Sequence, residues 1–361
     1  FLLKTDIGPV IDIEAQKKNQ KHIDQMRSKG HPAHQLMLNA AQDQSLTQGT
    51  FIPPTLIELP NLDDLQREVF GPVLHVIRYK YGQLEQLLEQ INAKGYGLTM
   101  GLHTRIDETI QTVIAHAEVG NLYINRNIVG AVVGVQPFGG EGLSGTGPKA
   151  GGPIYLYRLM QHCSAKKLAI PFATYAQATQ PAHQPLYEIF YTWAEKNSPQ
   201  YQLTPCPVFC SGHHYELQGP TGESNQYVVL PRKRVLSLAD QEQDQIQQLA
   251  AIFAVGSQPT VLAENTFVLK YLPKMPKEIV DSFAIIQSIE TDDFDAVLHH
   301  GSKAQLQKLQ TLIASRQGVI IGITHLQPFD HEIPLERLVI ERAISINTAA
   351  AGGNASLMTL I

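Results

Sequence analysis

The sequence predicts an α/β chain in which strands and helices alternate, laid out as two units in succession. Segments with a period of two residues are followed by segments with a helical period, and this order repeats on either side of a small, polar, proline-bearing connection at about 165–184. The balance of 43% hydrophobic against 17% charged residues over 361 positions supplies apolar surface for about two ordinary domains and excludes disorder. The division is set at 170, with residues 1–170 as the first domain and 171–361 as the second.

In chain order, Pro9 to about Gly30 predicts one surface helix, stopped by Gly30 and Pro32. Residues 51–59 form a strand with Pro53 and Pro54 at its start, which suits an edge position or the beginning of a strand. Residues 73–79 alternate as a strand, and 83–93 place Leu84, Leu87, Leu88 and Ile91 on one helical face. A short strand over 98–104 precedes Asp107, which is placed to cap a helix that Gly120 ends. Residues 122–125 form a strand, and this order argues for a largely parallel sheet. From Ile128 to Gly152 the chain is glycine-rich without helical period, so an extended arm followed by a loop is expected.

The second unit opens with a helix over 186–196 that turns Leu186, Ile189, Phe190 and Trp193 toward a core. Strands at 227–230 and 234–239, a helix at 242–254 and a strand at 259–263 follow. A strand at 294–300, a helix through Leu306, Leu309 and Leu312, and a strand at 318–324 complete a second sheet layer. The glutamine-rich stretch Gln241 to Gln248 reads as a solvated helix face.

Charge and processing signals narrow the class. Twenty-eight Lys and Arg against 33 Asp and Glu give a net charge of −5 without long runs, so no nucleic-acid footprint is present. No apolar stretch reaches the roughly 18 residues of a membrane span, and the start lacks the basic region and cleavage site of a secretory signal. A soluble chain is expected. Cys163, Cys206 and Cys210 are too few and too uneven for a disulfide framework and fit a reducing cytoplasm. The first residues read as the middle of a structural element, so the chain is expected to be a piece of something longer.

Several motifs carry chemistry or imitate it. Gly140 to Gly145 matches G-x-G-x-x-G, but Gly147, Pro148, Gly151, Gly152 and Pro153 leave no place for the helix that a dinucleotide fingerprint requires. Gly142 to Lys149 approximates a phosphate-binding loop, yet Pro148 separates the glycine from the lysine and no Ser or Thr follows Lys149. Such a loop can bring backbone N–H groups to one point and hold a carboxylate; a wide surface turn is equally compatible with its spacing. Cys206, Cys210, His213 and His214 are too crowded to close a tetrahedron, so no metal site is expected. His162 and Cys163 point in different directions on any regular element, which leaves Cys163 a buried bystander. Glu68 lies at the mouth of a strand, where its carboxylate can accept from two ribose hydroxyls while Phe70 lies against a flat ring. An exposed Glu beside a core Phe is the alternative.

REVFGPV, YGLTMGLHT, GNLYIN and PFGGEGLSGTG, in that order, resemble the later part of an aldehyde dehydrogenase. GPKAGGPIYL, PTGESNQY and ERAISINTAAAGGNASLM narrow the resemblance to the long bifunctional proline utilization A enzymes, which join a flavin-dependent proline dehydrogenase to a glutamate-semialdehyde dehydrogenase. The resemblance implies an aldehyde-dehydrogenase-type catalytic domain, present in part, followed by a degenerate aldehyde-dehydrogenase-like domain that caps it. It places Glu68, Phe70 and Leu98 at the nicotinamide end of NAD. It places Gly151 and Gly152 on the loop that anchors the α-carboxylate of L-glutamate γ-semialdehyde, with Ser144 and Gly145 shaping the approach. The tail from Ser345 would add an extended strand to a neighbouring flap.

The same resemblance implies a cysteine thiolate that attacks the aldehyde and a glutamate that activates water for thioester cleavage. An oxyanion-stabilising asparagine and a nucleotide-binding sheet belong to the same machinery. All belong upstream of Phe1, and no cysteine here has the nucleophile's glycine-rich context. The chain therefore carries no catalytic residue of its own and is expected to be inactive alone, with the missing N-terminal part as its partner. FAD belongs to the absent proline dehydrogenase domain. A homo-oligomer is compatible with the sequence, which does not define it. Two competing readings stand: a self-standing assembly or regulatory module without the reaction, and a dehydrogenase for another amino-acid semialdehyde.

Overall fold

In the computed structural model the described residues are 7–36, 49–160, 176–179, 184–201, 203–204 and 212–349. They fall into two compact units, Phe1–Ile91 and Asn92–Ile361. In the first, helix α1 (Ile13–Ser28) begins at Asp12, whose carboxylate accepts from the Ala15 N–H at 2.7 Å. Its buried Ile23 and Met26 pack with Ile52, Ile57 and Leu59. Strands β1 (Ala33–Gln35), β2 (Thr55–Leu59) and β3 (Val73–Ile77) follow in spatial order β1-β2-β3, antiparallel then parallel. The strand behind Pro53 and Pro54 is thus the central one, not an edge. Both prolines precede it, so no ladder donor is lost. Helix α2 (Leu84–Ala93) lies where the spacing predicts it.

The second unit contains β4 (Tyr96–Gly97), β5 (Thr99–Leu102), α3 (Asp107–His116), β6 (Asn121–Ile124), β7 (Glu141–Gly142) and α4 (Tyr155–Arg158). Asp107 is not the cap: Ile106 holds that position, and Asp107 is the first helical residue. The helix also ends a turn before Gly120. That glycine is needed for another reason, since a Cβ there would lie 1.9 Å from the Gly139 carbonyl oxygen. The arm and loop from 128 to 152 carry no helix. The first helical turn after the glycines is α4, beyond Pro153, as the glycine and proline pattern requires.

Next come β8 (Ala176–Thr179), α5 (Pro185–Asn197), β9 (His214–Leu217), β10 (Glu223–Pro231), β11 (Arg234–Ala239), α6 (Glu242–Val255) and β12 (Gln258–Leu262). They are followed by α7 (Thr266–Tyr271), α8 (Lys277–Ser282), β13 (Ala284–Ile286), β14 (Ala296–His300), α9 (Lys303–Ala314), β15 (Gly322–Leu326) and β16 (Val339–Asn347). Strands β13-β12-β11-β14-β15 form a parallel sheet in that order. Phe190, Trp193, Leu249, Phe253 and Phe267 form a core between its helices.

A second sheet has the order β5-β6-β16-β10-β9-β8. Strand β16 runs parallel to β6, with Ala343 opposite Asn121, and antiparallel to β10, with Ala343 opposite Tyr227. This pairing joins residues from both sides of position 170 into one sheet, and the contact division accordingly falls within α2.

The glutamine stretch corrects an expectation. Asp244, Gln245, Gln247 and Gln248 of α6 are buried rather than solvated. Asn265 Nδ2 donates to Gln245 Oε1 (3.0 Å), Gln245 Nε2 to Ser237 Oγ (2.5 Å), and Ser237 Oγ to Gln248 Oε1 (2.5 Å). Gln248 Nε2 reaches His300 Nδ1 (2.8 Å), whose Nε2 meets the Asp330 carbonyl (2.8 Å). A polar side chain tolerates burial when its donors and acceptors find partners: this relay serves Gln245 and Gln248, Gln247 exchanges hydrogen bonds with the Thr204 backbone, and Asp244 accepts from the Phe329 N–H.

Candidate functional site

The first unit presents Glu68 and Phe70 on the segment leading into β3. Asn19, 2% exposed on α1, donates from Nδ2 to the Phe70 carbonyl at 2.7 Å and to the Ala15 carbonyl at 2.9 Å. A Cβ on Gly71 would lie 2.1 Å from Asn19 Oδ1, so only glycine permits this approach. The backbone is held while the side chains remain open: Glu68 is exposed, and the Phe70 ring is 81% exposed rather than part of a core. An uncovered carboxylate and ring on one anchored segment suit ribose hydroxyls and a flat heterocycle.

In the second unit β4 pairs with β7, Tyr96 opposite Gly142 and Gly97 opposite Glu141. Ser144 Oγ accepts from the Gly97 N–H at 3.2 Å, so Ser144 is tied to the segment that carries the partly exposed Leu98. Gly142 has φ +64°, and a Cβ there would meet the Gly95 carbonyl oxygen at 2.3 Å. Gly140 and Gly145 also approach closely, 2.8 Å from the Gly140 carbonyl oxygen to a Cβ on Gly145. The glycines of this loop thus serve backbone packing.

The segment 147–152 is pinned from two sides. Phe138 and Ala150 exchange backbone hydrogen bonds of 3.0 and 2.8 Å. Lys149 is 2% exposed, and its Nζ donates to the Gly139 carbonyl (2.5 Å) and Asn121 Oδ1 (3.0 Å). Its backbone N–H donates to Glu341 Oε2 at 2.9 Å, and Tyr227 donates its hydroxyl to Glu341 Oε1 at 2.6 Å. Gly145, Gly147, Lys149, Glu341 and Arg342 line a cavity of about 240 Å³. Gly151, with φ +70° and open space where a Cβ would stand, lines a separate cavity of about 870 Å³ with Phe138, Ala150 and Glu216. The structure therefore brings Ser144 to the Leu98 segment but sets Gly145 and Gly151 on different cavities. Gly152 touches Glu341 and lines neither.

Burial dominates the electrostatics. It pushes the Lys149 amine down to about 8 against the pull of Glu341 and Glu141, and it raises the Glu341 carboxyl. Burial also raises Glu141, although Arg342 donates to it at 2.7 Å. Lys149, Tyr227, Glu341 and Asn121 are site residues that pattern reasoning missed. Lys149 stood out only as the misplaced lysine of a failed phosphate loop, and Glu341 as a charge opening an apolar run.

His213 stacks on Tyr215, and burial lowers both His213 and His214. Cys163, Cys206, Cys210 and His162 lie outside the described residues. Among the described residues no cluster of His, Cys, Asp and Glu suits a metal ion, and no helix is long and apolar enough to cross a membrane.

Residues 2–164 match the aldehyde dehydrogenase family, so the chain carries an aldehyde dehydrogenase domain. The whole chain is similar to the C-terminal part of Bifunctional protein PutA of Escherichia coli (strain K12), 51% identical over 374 residues that cover 99% of this chain and 28% of that protein. The chain thus spans 28% of the length of that relative. It is also 39% identical to 1-pyrroline-5-carboxylate dehydrogenase of Bacillus subtilis (strain 168) over 161 residues, 44% of this chain and 29% of that protein. A solved structure, Proline Utilization A from Corynebacterium freiburgense, covers 88% of this chain and 29% of its own at 20% identity with a TM-score of 0.52. That likeness concerns the fold, which is an aldehyde-dehydrogenase-type α/β fold.

Proposed function

We propose that this chain is part of an NAD-dependent dehydrogenase that oxidises L-glutamate γ-semialdehyde, the open form of 1-pyrroline-5-carboxylate, to glutamate in proline catabolism. The observation that carries this reading is the match over 99% of the chain to a protein named Bifunctional protein PutA, with 44% of the chain also matching proteins named 1-pyrroline-5-carboxylate dehydrogenase. Residues 1–170 supply the later part of the catalytic domain and 171–361 the degenerate capping domain. The nucleophilic cysteine and general-base glutamate stand upstream, and FAD belongs to a proline dehydrogenase domain outside this chain.

NAD, when bound, accepts the hydride that leaves the substrate carbon. Glu68 holds the ribose next to the nicotinamide through its carboxylate, and Phe70 and Leu98 limit the ring's freedom. The openness of Glu68 and Phe70 supports this assignment. Gly151 and Gly152 lie on the loop whose backbone holds the substrate's α-carboxylate and where a side chain at Gly151 would obstruct it, while Ser144 and Gly145 shape the approach.

NADH formation from the semialdehyde tests the reading, measured on this chain and on the chain extended upstream through the whole dehydrogenase unit. Activity in the extended chain alone supports it. Activity in neither turns the assignment toward assembly or regulation, and activity in this chain alone means the nucleophile lies within it. In the extended chain, Glu68→Ala is expected to weaken productive NAD positioning; unchanged turnover together with unchanged NAD affinity would refute its role.

A further inference from the structure

We propose that Glu341 is a positioning residue that sets the shape of the carboxylate-holding loop, so that a residue from the end of the chain determines selectivity for carboxylated aldehydes. The inference rests on the reading that Gly151 and Gly152 hold the substrate carboxylate. Three contacts converge on this side chain. Glu341 Oε2 accepts from the Lys149 N–H at 2.9 Å, two residues before Gly151. Glu341 Oε1 accepts from the Tyr227 hydroxyl at 2.6 Å, which fixes the carboxylate's rotation from β10. The same oxygen occupies the hollow left by the missing side chain of Gly152, 2.9 Å from where a Cβ would stand.

Lys149 completes the arrangement from within. Its Nζ draws the loop toward Asn121 Oδ1 and the Gly139 carbonyl, while its backbone faces Glu341. The Gly152 N–H closes onto the Lys149 carbonyl at 3.0 Å, so fixing Lys149 fixes the turn that contains Gly151. Gly151 itself sits at φ +70° and faces open space. A glycine moves readily between positive and negative φ, so it keeps one geometry only when its neighbours impose it. The substrate would meet Gly151, while the constraint comes from β16, about 190 positions later in the chain. Because β16 lies between β6 and β10 in one sheet, the carboxylate and the loop it holds are referred to the same backbone frame. A binding loop gains precision when its support is built on such an element.

The chemistry separates geometry from charge. In Glu341→Gln the amide oxygen can accept from the Lys149 N–H while the amide nitrogen donates to the Tyr227 oxygen, so both contacts survive without the negative charge. In Glu341→Ala both are lost. Tyr227→Phe removes one and leaves the other.

The test uses the chain extended through the whole dehydrogenase unit and compares kcat/KM for the semialdehyde with that for an unsubstituted aliphatic aldehyde of similar length. Glu341→Ala is expected to lower the ratio about tenfold, chiefly through KM for the semialdehyde, while KM for NAD stays within about twofold. Tyr227→Phe is expected to lower it about threefold, and Glu341→Gln to restore it to within about twofold of the parent. Equal losses for both aldehydes, or a Gln variant no better than Ala, would overturn the inference. If Glu341→Ala does not fold, Tyr227→Phe and Glu341→Gln decide alone: Tyr227→Phe without effect on the ratio overturns it. Gly151→Val serves as the control for the underlying reading. If it fails to discriminate between the aldehydes, the loop does not hold the carboxylate; if it discriminates and the Glu341 and Tyr227 variants do not, only the positioning role falls.

Discussion

The glycine-rich region from β4 to α4 and the parallel sheet from β11 to β15 are held by opposite means. The sheet is held by apolar side chains from neighbouring elements, such as Leu236, Val297, Leu309 and Ile313, packed around strands that follow one another in sequence. The glycine-rich region buries Tyr123, Ile124 and Ile154 at its margins, but between 130 and 152 it covers few large side chains of its own. Its backbone segments approach one another closely at Gly120, Gly140 and Gly142, and its polar partners lie far away in sequence: Glu341 for Lys149, Arg342 for Glu141, Ser345 for Arg126, and Asn347, which donates to the Asn125 carbonyl. Area-driven packing tolerates changes of size that preserve volume, whereas close backbone approach and buried hydrogen bonds tolerate almost none.

Variants in the two regions sharpen that contrast. Gly120→Ala forces a Cβ to within 1.9 Å of a carbonyl oxygen and is expected to cost about 4 kcal/mol or more, measured by chemical denaturation. Leu298→Ala, in the fully buried centre of the parallel sheet, is expected to cost about 3 kcal/mol through cavity formation. A larger loss for Leu298→Ala than for Gly120→Ala would break the comparison.

The buried lysine gives a pH test of the glycine-rich region. Its folded pKa of about 8 lies below the usual 10.5, so the unfolded chain binds more protons between these values. Stability contributed by this group therefore rises as pH increases from 8 toward 10.5, by on the order of 3 kcal/mol in total. The rise is expected to disappear in Lys149→Met; a Met variant with the same pH dependence would place the titrating group elsewhere. The smallest effect is expected from Gln248→Leu, about 2 kcal/mol, because it takes a hydrogen-bond partner from each of the buried Ser237 and His300. A stabilising Gln248→Leu would show that this polar relay contributes nothing to the stability of the second region.

The same contrast explains what could be read without coordinates. Strands β11 and β14 and the helices α2 and α5 follow from their periodicity, because each buries a face that its own spacing defines. The Gln241–Gln248 stretch departs from the solvated face expected of it because composition reports polarity and not whether partners wait inside. Asp107 was misplaced by one residue because Ile106 takes the cap position without a side-chain bond. Glu68 and the glycine loop stood out through their residue types and their place in a resemblance. Lys149 and Glu341 did not, since a pair separated by about 190 positions leaves no local pattern.

Residue order alone determined the alternation of strands and helices and the absence of a helix directly after the glycine loop. These are local properties: side-chain period, the φ limits of proline and the freedom of glycine act within a few residues. Only the tertiary structure decided that β16 enters between β6 and β10, that glutamines fill the interior of α6, and that Glu341 holds the Lys149 turn. Each depends on which distant groups meet once water is excluded, because a buried donor takes the acceptor that the fold brings to it.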